Sequence, residues 1–363
     1  MRVLFLITGL RLGGAEMQLL LLTKTLIRRG VELEVVSMED IGVIGQRMTE
    51  SGIKVHTLNI QSISGAANAL FKLRKIKREF RPDVLHSHMI HANIYSRIFN
   101  FFVRTPKLIN TAHNTIEGSK NLMKSYIWTN WFSDFSTNVS EEAYDFFVKN
   151  KYFSKEKSAY IPNAIDIDKF QPIRKDTTEV LRKELGIDND TFVFLAVGRL
   201  HAQKNYPLLI KAFQHVQEHR DKTCLLIAGE GNLLETLVDM VNKMELNEYV
   251  RFLGLRDDID SLMNMSNTFV LTSDFEGFGL VVGEAMACKV PVISTDSGGV
   301  KEVMGGFGNL VPVNNEEALV EAMINNMNTA YSDDYLTNAR NYILNKYSIS
   351  SVVDKWLTIY RSN

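Results

Sequence analysis

The sequence predicts an α/β protein that contains two doubly wound parallel sheets. Short apolar runs alternate with stretches that place leucines at helical spacing, which is typical of βαβ units, and this alternation recurs in both halves of the chain. At 363 residues the chain also exceeds the length at which a single hydrophobic core usually stops growing. We therefore expect two Rossmann-like domains that face a central cleft.

The expected domains are residues 1–168 and 191–347. A linker is expected at 169–190, where polar residues and Pro172 concentrate, and a helical segment at 348–363 follows the second domain.

The composition is that of an ordinary globular protein, with 45% hydrophobic and 23% charged residues. Cys224 and Cys288 lie in apolar surroundings and away from any CxxC motif, which indicates a reducing compartment rather than a structural zinc site. No apolar run approaches the ~20 residues of a membrane span. We therefore expect a cytoplasmic protein.

Charge is divided unevenly along the chain. Residues 1–172 carry 23 Lys and Arg against 16 Asp and Glu, whereas the remainder carries 18 against 26. Such a split indicates that the basic half meets an anionic surface. Nucleic acid is not expected as a partner, because no nucleic-acid-binding module accompanies the charge.

The first βαβ unit consists of a strand at Val3–Thr8, a helix at Glu16–Arg29 and a strand at Leu33–Ser37. Between the first strand and the helix, Gly13 and Gly14 either form a tight turn or let the backbone approach a ligand closely. The strict GxGxxG pattern is absent, so a dinucleotide site is only weakly indicated.

A third strand at Ile53–Leu58 precedes a basic amphipathic helix at Asn68–Phe80. That helix is either a solvated crossover helix or an element that contacts anionic lipid head groups. A fourth strand is expected at Asp83–His86.

Histidines follow the fourth and fifth strands. We interpret His86, His88 and His91 as hydrogen-bonding loop residues, because no carboxylate or cysteine completes a metal-ligand set there. The fifth strand, at Leu108–His113, ends in a histidine that is placed to face the cleft, near the chemistry.

Residues 120–135 combine aromatic rings with lysines, namely Tyr126, Trp128, Trp131 and Phe132 with Lys120 and Lys124. Most of these rings are expected in the core, although the same composition also fits a membrane interface or the lining of an acceptor site. Strands at Thr137–Val139 and Ala159–Ile161, with a helix that starts at Ser140 between them, complete the first sheet.

The second half repeats the alternation. Strands are expected at Phe192–Val197, Cys224–Ala228, Val250–Leu253, Phe269–Leu271 and Lys289–Ser294. Helices are expected at Tyr206–Glu218, after Gly231, and at Asp257–Met265, Leu280–Ala287, Ala318–Thr329, Tyr335–Lys346 and Val352–Arg361.

Charged residues follow two strands of this second sheet. Arg199 and Lys204 come after the first strand, and a bidentate guanidinium with a point-charge ammonium suits a diphosphate. Glu276 follows the strand at Phe269–Leu271, and Glu284 lies in the next helix, so that two carboxylates are available for hydroxyl groups.

Backbone amides lie between those two carboxylates. The amides of Phe278, Gly279 and Leu280 begin the helix, and a helix N-terminus suits an anion. Because ligands bind at the carboxyl ends of parallel strands, these groups predict a site for a nucleotide diphosphate sugar. The Asp258-Ile-Asp260 motif starts a helix, where acidic residues are common, and we assign it no metal role.

Together these residues resemble the retaining glycosyltransferases of family 4, which have the GT-B fold. The resemblance covers essentially the whole chain. It rests on Gly13-Gly14-Ala15-Glu16, His113, Asn163-Ala164-Ile165-Asp166, Gly198-Arg199-Leu200 with Lys204, Gly229-Glu230-Gly231, the Glu-x7-Glu stretch from Glu276 to Glu284, and Ser297-Gly298-Gly299.

The resemblance implies a role for each matched position in the second domain. Arg199 and Lys204 would hold the donor diphosphate, and Glu276 would bind the hydroxyls of the donor sugar. The amides of Phe278–Leu280 would contact the sugar and phosphate of the donor, and Glu284 would bind the ribose.

The remaining implied roles concern the base, the transferred sugar and the acceptor. The backbone around Leu255 and Arg256 would bind the base, His113 would contact the transferred sugar, and Gly13-Gly14 would contact the diphosphate or the acceptor. Catalysis would involve His113 together with Arg199, Lys204 and Glu276, and the final helix would pack back onto the N-terminal domain.

The implied reaction is retaining transfer of a hexose or N-acetylhexosamine from a nucleotide diphosphate sugar, preferably a UDP-sugar, without a metal or other cofactor. The basic half and the aromatic segment favour a polyprenyl-diphosphate-linked glycan as acceptor, in O-antigen, capsule or exopolysaccharide assembly. They also favour peripheral binding to an anionic membrane surface at the inner face of the plasma membrane.

Three other interpretations stay open at this point. The first is a sugar-nucleotide epimerase or hydrolase of the same fold, the second is a mannosyltransferase that uses GDP-mannose, and the third is a non-catalytic partner subunit.

Overall fold

The computed structural model describes residues 1–60 and 63–362, and the chain divides into two compact units. Unit 1 comprises Met1–Ala164 and Ile349–Asn363, and unit 2 comprises Ile165–Ser348. Each unit contains a parallel sheet flanked by helices, so the predicted α/β class with two Rossmann-like domains is confirmed. Asn363, the last residue of the predicted final segment, lies outside the described residues.

Unit 1 has a seven-stranded sheet within the described residues. Its strands are β1 (Arg2–Ile7), β2 (Glu32–Ser37), β3 (Lys54–Thr57), β4 (Val84–His88), β5 (Lys107–Ala112), β6 (Phe135–Asn138) and β7 (Ser158–Tyr160). They lie in the order β3-β2-β1-β4-β5-β6-β7. Its first six helices are α1 (Gly14–Arg28), α2 (Gly42–Glu50), α3 (Ile63–Phe80), α4 (Ile90–Phe102), α5 (Lys120–Thr129) and α6 (Glu141–Lys149).

Unit 2 has a six-stranded sheet, counted over its described residues, in the order β10-β9-β8-β11-β12-β13. Its strands are β8 (Phe192–Val197), β9 (Thr223–Ala228), β10 (Val250–Gly254), β11 (Thr268–Leu271), β12 (Val292–Thr295) and β13 (Asn309–Val311). Its helices are α7 (Lys175–Glu184), α8 (Tyr206–His219), α9 (Leu234–Lys243), α10 (Ile259–Met265), α11 (Leu280–Ala287), α12 (Val300–Met304), α13 (Glu316–Asn328) and α14 (Asp333–Tyr347).

Strand β1 shows how the first sheet is buried on both faces. Val3, Phe5 and Ile7 join one apolar core, whereas Leu4 and Leu6 join another on the opposite face. Successive side chains of a strand point to opposite faces, so an almost wholly apolar run is what a sheet with two covered faces requires.

The C-terminal helix α15 (Ile349–Arg361) belongs to unit 1. Val353 and Trp356 are buried in the same core as Val3 and Phe5. The hydroxyl of Tyr360 lies 2.8 Å from Nδ1 of His86, in β4, so the helix is fixed by a buried polar contact as well as by apolar packing.

The segment expected to be a linker, 169–190, contains helix α7 and belongs to unit 2. Leu181 and Arg182 are buried on this helix. The guanidinium of Arg182 donates hydrogen bonds to the carbonyl oxygens of Met265, at 2.7 Å, and Thr191, at 2.9 Å. The polar composition that indicates a linker therefore includes an arginine that binds backbone carbonyls inside the domain.

The histidine run is not a loop, which corrects the prediction. Strand β4 continues to His88 and helix α4 begins at Ile90, so His86 and His88 are buried strand residues. The sheet partners that accommodate these polar side chains, such as Thr111 in β5, come from distant parts of the sequence.

Helices α2, α4, α5, α7 and α12 and strand β13 add to the predicted elements. None of the helices described in residues 1–60 and 63–362 combines the length and apolar character needed to cross a bilayer.

Gly229→Ala tests the close approach of two loops in unit 2. A Cβ at Gly229 would lie 2.0 Å from the carbonyl oxygen of Gly198, and the φ of Gly229 is +142°. Because the obstacle is a backbone atom, we expect the free energy of unfolding, measured in urea, to fall by about 3 kcal/mol or more.

Gly186→Ala is the control, since Gly186 has a φ of +61° but meets no described atom within 4 Å of a built Cβ. This variant should lower the free energy of unfolding by about 1–2 kcal/mol, which is the penalty of a left-handed backbone conformation alone. Equal losses in the two variants would contradict the backbone contact.

Candidate active site

The candidate site in unit 2 lies where the strand order reverses, between β8 and β11. A 3-10 helix at Ala202–Lys204 follows β8, and its loop is bonded to the loop after β11. The hydroxyl of Thr272 donates to the carbonyl oxygen of Lys204 at 2.9 Å, and Nε2 of Gln203 donates to the carbonyl oxygen of Phe275 at 2.7 Å. The reversal point of an open α/β sheet is the usual position of a ligand crevice.

Lys204 and Glu276 meet at this edge. Nζ of Lys204 lies 2.6 Å from Oε1 of Glu276, and the hydroxyl of Ser273 donates to the same oxygen at 2.6 Å. The two charged side chains are only 18% and 12% exposed. Partly buried charges need partners, and these two provide each other with one.

Arg199 lies in a loop that packs closely against the loop after β9, but its own side chain is exposed. The amide of Leu200 donates to the carbonyl oxygen of Glu230 at 2.9 Å, and a Cβ at Gly231 would lie 2.3 Å from the carbonyl oxygen of Leu200. Among the described residues, no side chain or backbone group bonds the guanidinium of Arg199. It is therefore available to an anion.

The N-terminus of α11 follows Glu276. Gly279 precedes the helix with a φ of +81°, and a Cβ there would lie 2.7 Å from Cγ2 of Val300. Phe278 is buried with its ring edge-on to Tyr347, and Leu280 is the first helical residue. No side chain in the described part of the chain caps this helix, so its first amides are suited to an anion.

Glu284 lies on the same helix, and its surroundings change the pKa of its carboxyl. Burial raises the pKa of its carboxyl to about 7, with Asp166 adding to the rise and Lys169 opposing it. Lys169 also donates to the carbonyl oxygen of Asp257 at 3.0 Å, in the loop that follows β10.

That loop carries the two residues predicted to bind a base. Leu255 is exposed, whereas Arg256 donates to Asp258, with Nε at 2.8 Å from Oδ1. The first acidic residue of the Asp258-Ile-Asp260 motif is therefore engaged by a neighbouring arginine. In residues 1–60 and 63–362, no group of three or more His, Cys, Asp or Glu side chains is arranged to hold a metal ion.

His113 belongs to unit 1, where it follows β5. Its Nε2 lies 3.0 Å from Nδ1 of His88, and its backbone amide donates to Oε1 of Glu117 at 2.7 Å. Burial lowers the pKa of His113 to about 4, so its ring is neutral at physiological pH.

Gly13 and Gly14 also belong to unit 1, at the start of α1. The carbonyl oxygen of Gly13 accepts from the amide of Met17 at 3.0 Å. A Cβ at Gly13 would lie 2.4 Å from Oε2 of Glu16, so the glycine leaves room for that carboxylate beside the first turn.

Glu117 is a candidate residue that the sequence did not single out. Its carboxyl is buried, accepts the hydroxyl of Tyr126 at 3.0 Å and has a pKa raised to about 7, chiefly by burial. In the sequence, the indication for Glu117 is its position four residues after His113, which follows a strand. That indication is weak, because only the fold shows that the carboxyl turns back toward the backbone of His113.

The expectation that most aromatic rings of residues 120–135 lie in the core is wrong. Tyr126 is fully buried, but Trp128 is 79% exposed and Trp131 is 90% exposed. Helix α5 buries the face that carries Met123 and Tyr126, and Trp128 falls on another face. Trp131 lies beyond α5, in the 3-10 helix Asn130–Phe132, which buries no side chain.

Two family models match the chain: Glycosyl transferases group 1 over residues 177–342 and Glycosyltransferase Family 4 over residues 12–169. The chain therefore belongs to the family 4 glycosyltransferases and is a hexosyltransferase.

The chain is similar to individual enzymes and to solved structures. UDP-Gal:alpha-D-GlcNAc-diphosphoundecaprenol alpha-1,3-galactosyltransferase from Escherichia coli is 29% identical over 307 residues, which are 80% of this chain and 78% of that enzyme. N-acetyl-alpha-D-glucosaminyl L-malate synthase from Bacillus anthracis is 28% identical over 309 residues, 80% of this chain and 77% of that one. The crystal structure of HepE from Anabaena in complex with UDP has a TM-score of 0.88 at 23% identity, with 99% of each chain covered. This last likeness supports the GT-B fold.

Glu284→Gln tests the environment of the buried carboxyl. The pKa of Glu284 is about 7 in the folded chain against a reference of 4.5, so the folded state retains a proton that the unfolded state releases. This contribution to stability is complete below pH 4.5 and is lost as the pH rises to 7. Glutamine is always neutral, so the variant should be more stable than wild type by about 1–3 kcal/mol at pH 8, and by progressively less toward pH 4.5.

Denaturant unfolding at several pH values measures this difference. Glu235→Gln, at an exposed position of α9 in the same unit, is the matched control. If the gain from Glu284→Gln did not change between pH 5 and pH 8, the raised pKa would be wrong.

Proposed function

We propose that this chain is a retaining glycosyltransferase that moves a hexose or N-acetylhexosamine from a UDP-sugar to a glycan carried on a polyprenyl diphosphate. The observation that carries the proposal is the Lys204–Glu276 pair beside the N-terminus of α11, since it combines a cation and amides for phosphate with a carboxylate for hydroxyls. The name of the Escherichia coli relative, which contains both UDP-Gal and GlcNAc-diphosphoundecaprenol, supports the same classes of donor and acceptor. O-antigen, capsule or exopolysaccharide assembly is the proposed setting.

The proposed chemistry follows from where charge develops. As the bond between the anomeric carbon and the diphosphate breaks, negative charge accumulates on the departing UDP. Arg199, Lys204 and the amides of Phe278–Leu280 stabilise that charge. The acceptor hydroxyl attacks on the face from which UDP leaves and gives its proton to the leaving phosphate, so the anomeric configuration is retained.

In this proposal Glu276 orients the hydroxyls of the donor sugar, and Glu284 accepts hydrogen bonds from the ribose. No metal ion or other cofactor takes part, because Arg199, Lys204 and the helix amides neutralise the diphosphate. The predicted contacts of Leu255 and Arg256 with the base belong to the same proposal. So do those of His113 and Gly13-Gly14 with the sugar, diphosphate or acceptor.

A donor screen followed by a transfer assay tests the proposal. Thermal stabilisation would be measured in EDTA with UDP-glucose, UDP-galactose, their N-acetylamino counterparts and GDP-mannose, and the best donor would then be assayed with a lipid-linked sugar acceptor. Proton NMR of the product gives its anomeric configuration. We expect a UDP-sugar to bind and to be transferred with retention.

Other outcomes would favour the other interpretations. Preference for GDP-mannose favours the mannosyltransferase, and conversion of the donor without acceptor favours the epimerase or hydrolase. If no nucleotide sugar binds, a non-catalytic partner subunit becomes the better interpretation.

Lys204→Ala tests the role of the ammonium group. Because the charge on the departing diphosphate loses one stabilising partner, we expect kcat to fall by about 100- to 1,000-fold, or ~3 kcal/mol in the transition state. Circular dichroism and thermal unfolding should still show a folded chain.

The matched control is Lys211→Ala, since Lys211 is an exposed lysine of α8 in the same unit. Its kcat should match that of wild type. Near-normal turnover by Lys204→Ala would reject the assignment of the site.

A surface of unit 1 supports the proposed binding to an anionic bilayer. We define the basic-aromatic surface by exposed residues of α3, α4 and the segment around α5, namely Phe71, Lys72, Arg74, Lys75, Arg78, Phe101, Phe102, Trp128 and Trp131. Tryptophan and phenylalanine enter the interfacial layer of a bilayer, and each basic residue near anionic lipid adds about 1 kcal/mol.

Contacts within unit 1 join the elements that carry this surface. Nζ of Lys77, in α3, donates to the carbonyl oxygen of Val103 at 3.0 Å, just after the end of α4. The ring of Phe101, in α4, packs edge-on against Phe132, with 5.2 Å between centroids. Cations and aromatic rings therefore lie on neighbouring elements, which favours an anionic lipid leaflet as the occupant.

Vesicle sedimentation tests this surface. Vesicles with about 30% phosphatidylglycerol should bind the chain at low salt and release it above about 0.5 M NaCl, because exposed charges are screened. The combined substitutions Trp128→Ser, Trp131→Ser and Lys75→Glu should weaken binding at least tenfold.

Lys211→Glu, which changes the same charge on unit 2, should have no effect on sedimentation. Equal binding to purely zwitterionic vesicles, or binding that salt does not change, would contradict the proposed surface.

A further inference from the structure

Two buried imidazole nitrogens in unit 1 have no hydrogen-bond partner among the described residues. They are Nε2 of His88 and Nδ1 of His113. His86 differs, because its two ring nitrogens lie 2.8 Å from the hydroxyl of Tyr360 and 2.7 Å from that of Thr111. An unsatisfied buried polar group costs about 1–3 kcal/mol, so a pair of them calls for a functional explanation.

The two rings line the same small cavity. Its volume is about 20 Å³, and its other lining residues include Gln18, Asn163 and Trp356. A space of this size accommodates one water molecule or one small polar group. The two rings therefore border a space that one small polar group could occupy.

The protonation states of His88 and His113 are coupled. Burial lowers the pKa of both rings, so both are neutral. Their contact, from Nδ1 of His88 to Nε2 of His113 at 3.0 Å, needs one hydrogen atom. If His88 donates it, each ring carries its proton on Nδ1, and if His113 donates it, each ring carries its proton on Nε2. One outward nitrogen is then always a donor and the other an acceptor.

The backbone beside His88 is strained. Met89 has φ 73° and ψ 153°, a region that costs a non-glycine residue about 1–3 kcal/mol. Its amide donates to the carbonyl oxygen of Thr111 at 3.0 Å, which holds the end of β4 against β5. Strain of this kind persists where the surrounding structure demands a particular geometry, and here it adjoins the histidine pair.

We propose that His88 is a positioning residue that fixes the tautomer and ring orientation of His113, so that Nδ1 of His113 meets a hydroxyl group of the bound sugar as a matched donor or acceptor. This inference rests on the proposed function for the role of His113. His88 itself acts through His113 and contacts no reacting atom.

Substitutions at His88 separate positioning from simple packing. His88→Leu removes the bond to His113 and should lower kcat about 10- to 100-fold, with KM changed less than threefold. His88→Asn places an amide near the position of Nδ1 and should restore most of kcat. Tyr360→Phe is the control, because it removes a buried hydrogen bond to His86 and leaves the contact between His88 and His113 intact.

Nitrogen-15 NMR of histidine-labelled protein tests the coupling directly and needs no substrate. In the wild-type chain both rings should report the same tautomer. The tautomer preference of His113 should be lost in His88→Leu and retained in His88→Asn, in parallel with kcat. Opposite tautomers in the wild-type chain, or wild-type kcat in His88→Leu, would overturn the proposal.

The two readouts keep this proposal distinct from the proposed function. If the wild-type chain transferred no sugar from any donor, the proposed function would fail, and the NMR result would still decide whether the two rings are coupled. If His88→Leu did not fold, the wild-type spectrum and the His88→Asn kinetics would decide.

Discussion

The ion pair between Lys204 and Glu276 is the interaction on which the candidate site in unit 2 depends. Each charge lies in a loop that leaves a different strand, and each is mostly shielded from water. Removing Lys204 would leave Glu276 with the Ser273 hydroxyl as its side-chain partner, and removing Glu276 would leave the ammonium of Lys204 partly buried without its counter-ion. The pair therefore holds the two loops in register before a donor arrives. Gly298 allows a close approach from a third loop, because a Cβ there would lie 2.2 Å from the carbonyl oxygen of Glu276.

A comparable constraint operates in unit 1 through a buried polar network. Arg97 is fully buried and donates to neutral oxygens of Asn110, at 2.7 Å, and Ser136, at 3.1 Å. Its guanidinium lies 4.8 Å from the ring centroid of Tyr126, whose hydroxyl bonds Glu117. Glu117 in turn accepts the amide of His113. The loop that carries the predicted catalytic histidine is thereby fixed to the interior of its own unit, which is the kind of support that precise positioning requires.

Much of this arrangement could be predicted from the sequence, for identifiable reasons. The bounds of Phe192–Val197 and Leu280–Ala287 match the structure, because apolar runs end at glycine-rich turns. The carboxyl ends of parallel strands meet at one edge of a sheet, and this rule correctly predicted that Lys204 and Glu276 lie close together. Burial of His86 was missed because its partners, Thr111 and Tyr360, are 25 and 274 residues away. Such long-range partners leave no local pattern, and neither does the packing that decides which rings of a helix face solvent.

We propose that the carboxyl edge of the unit 2 sheet holds a nucleotide sugar, and a crystal structure of the chain with a bound UDP-sugar would show whether it does. Phosphate oxygens are expected within hydrogen-bonding distance of Arg199, Lys204 and the first amides of α11, with the ribose hydroxyls at Glu284. A nucleotide bound at any other edge of either sheet, with the Lys204–Glu276 pair untouched, would contradict it.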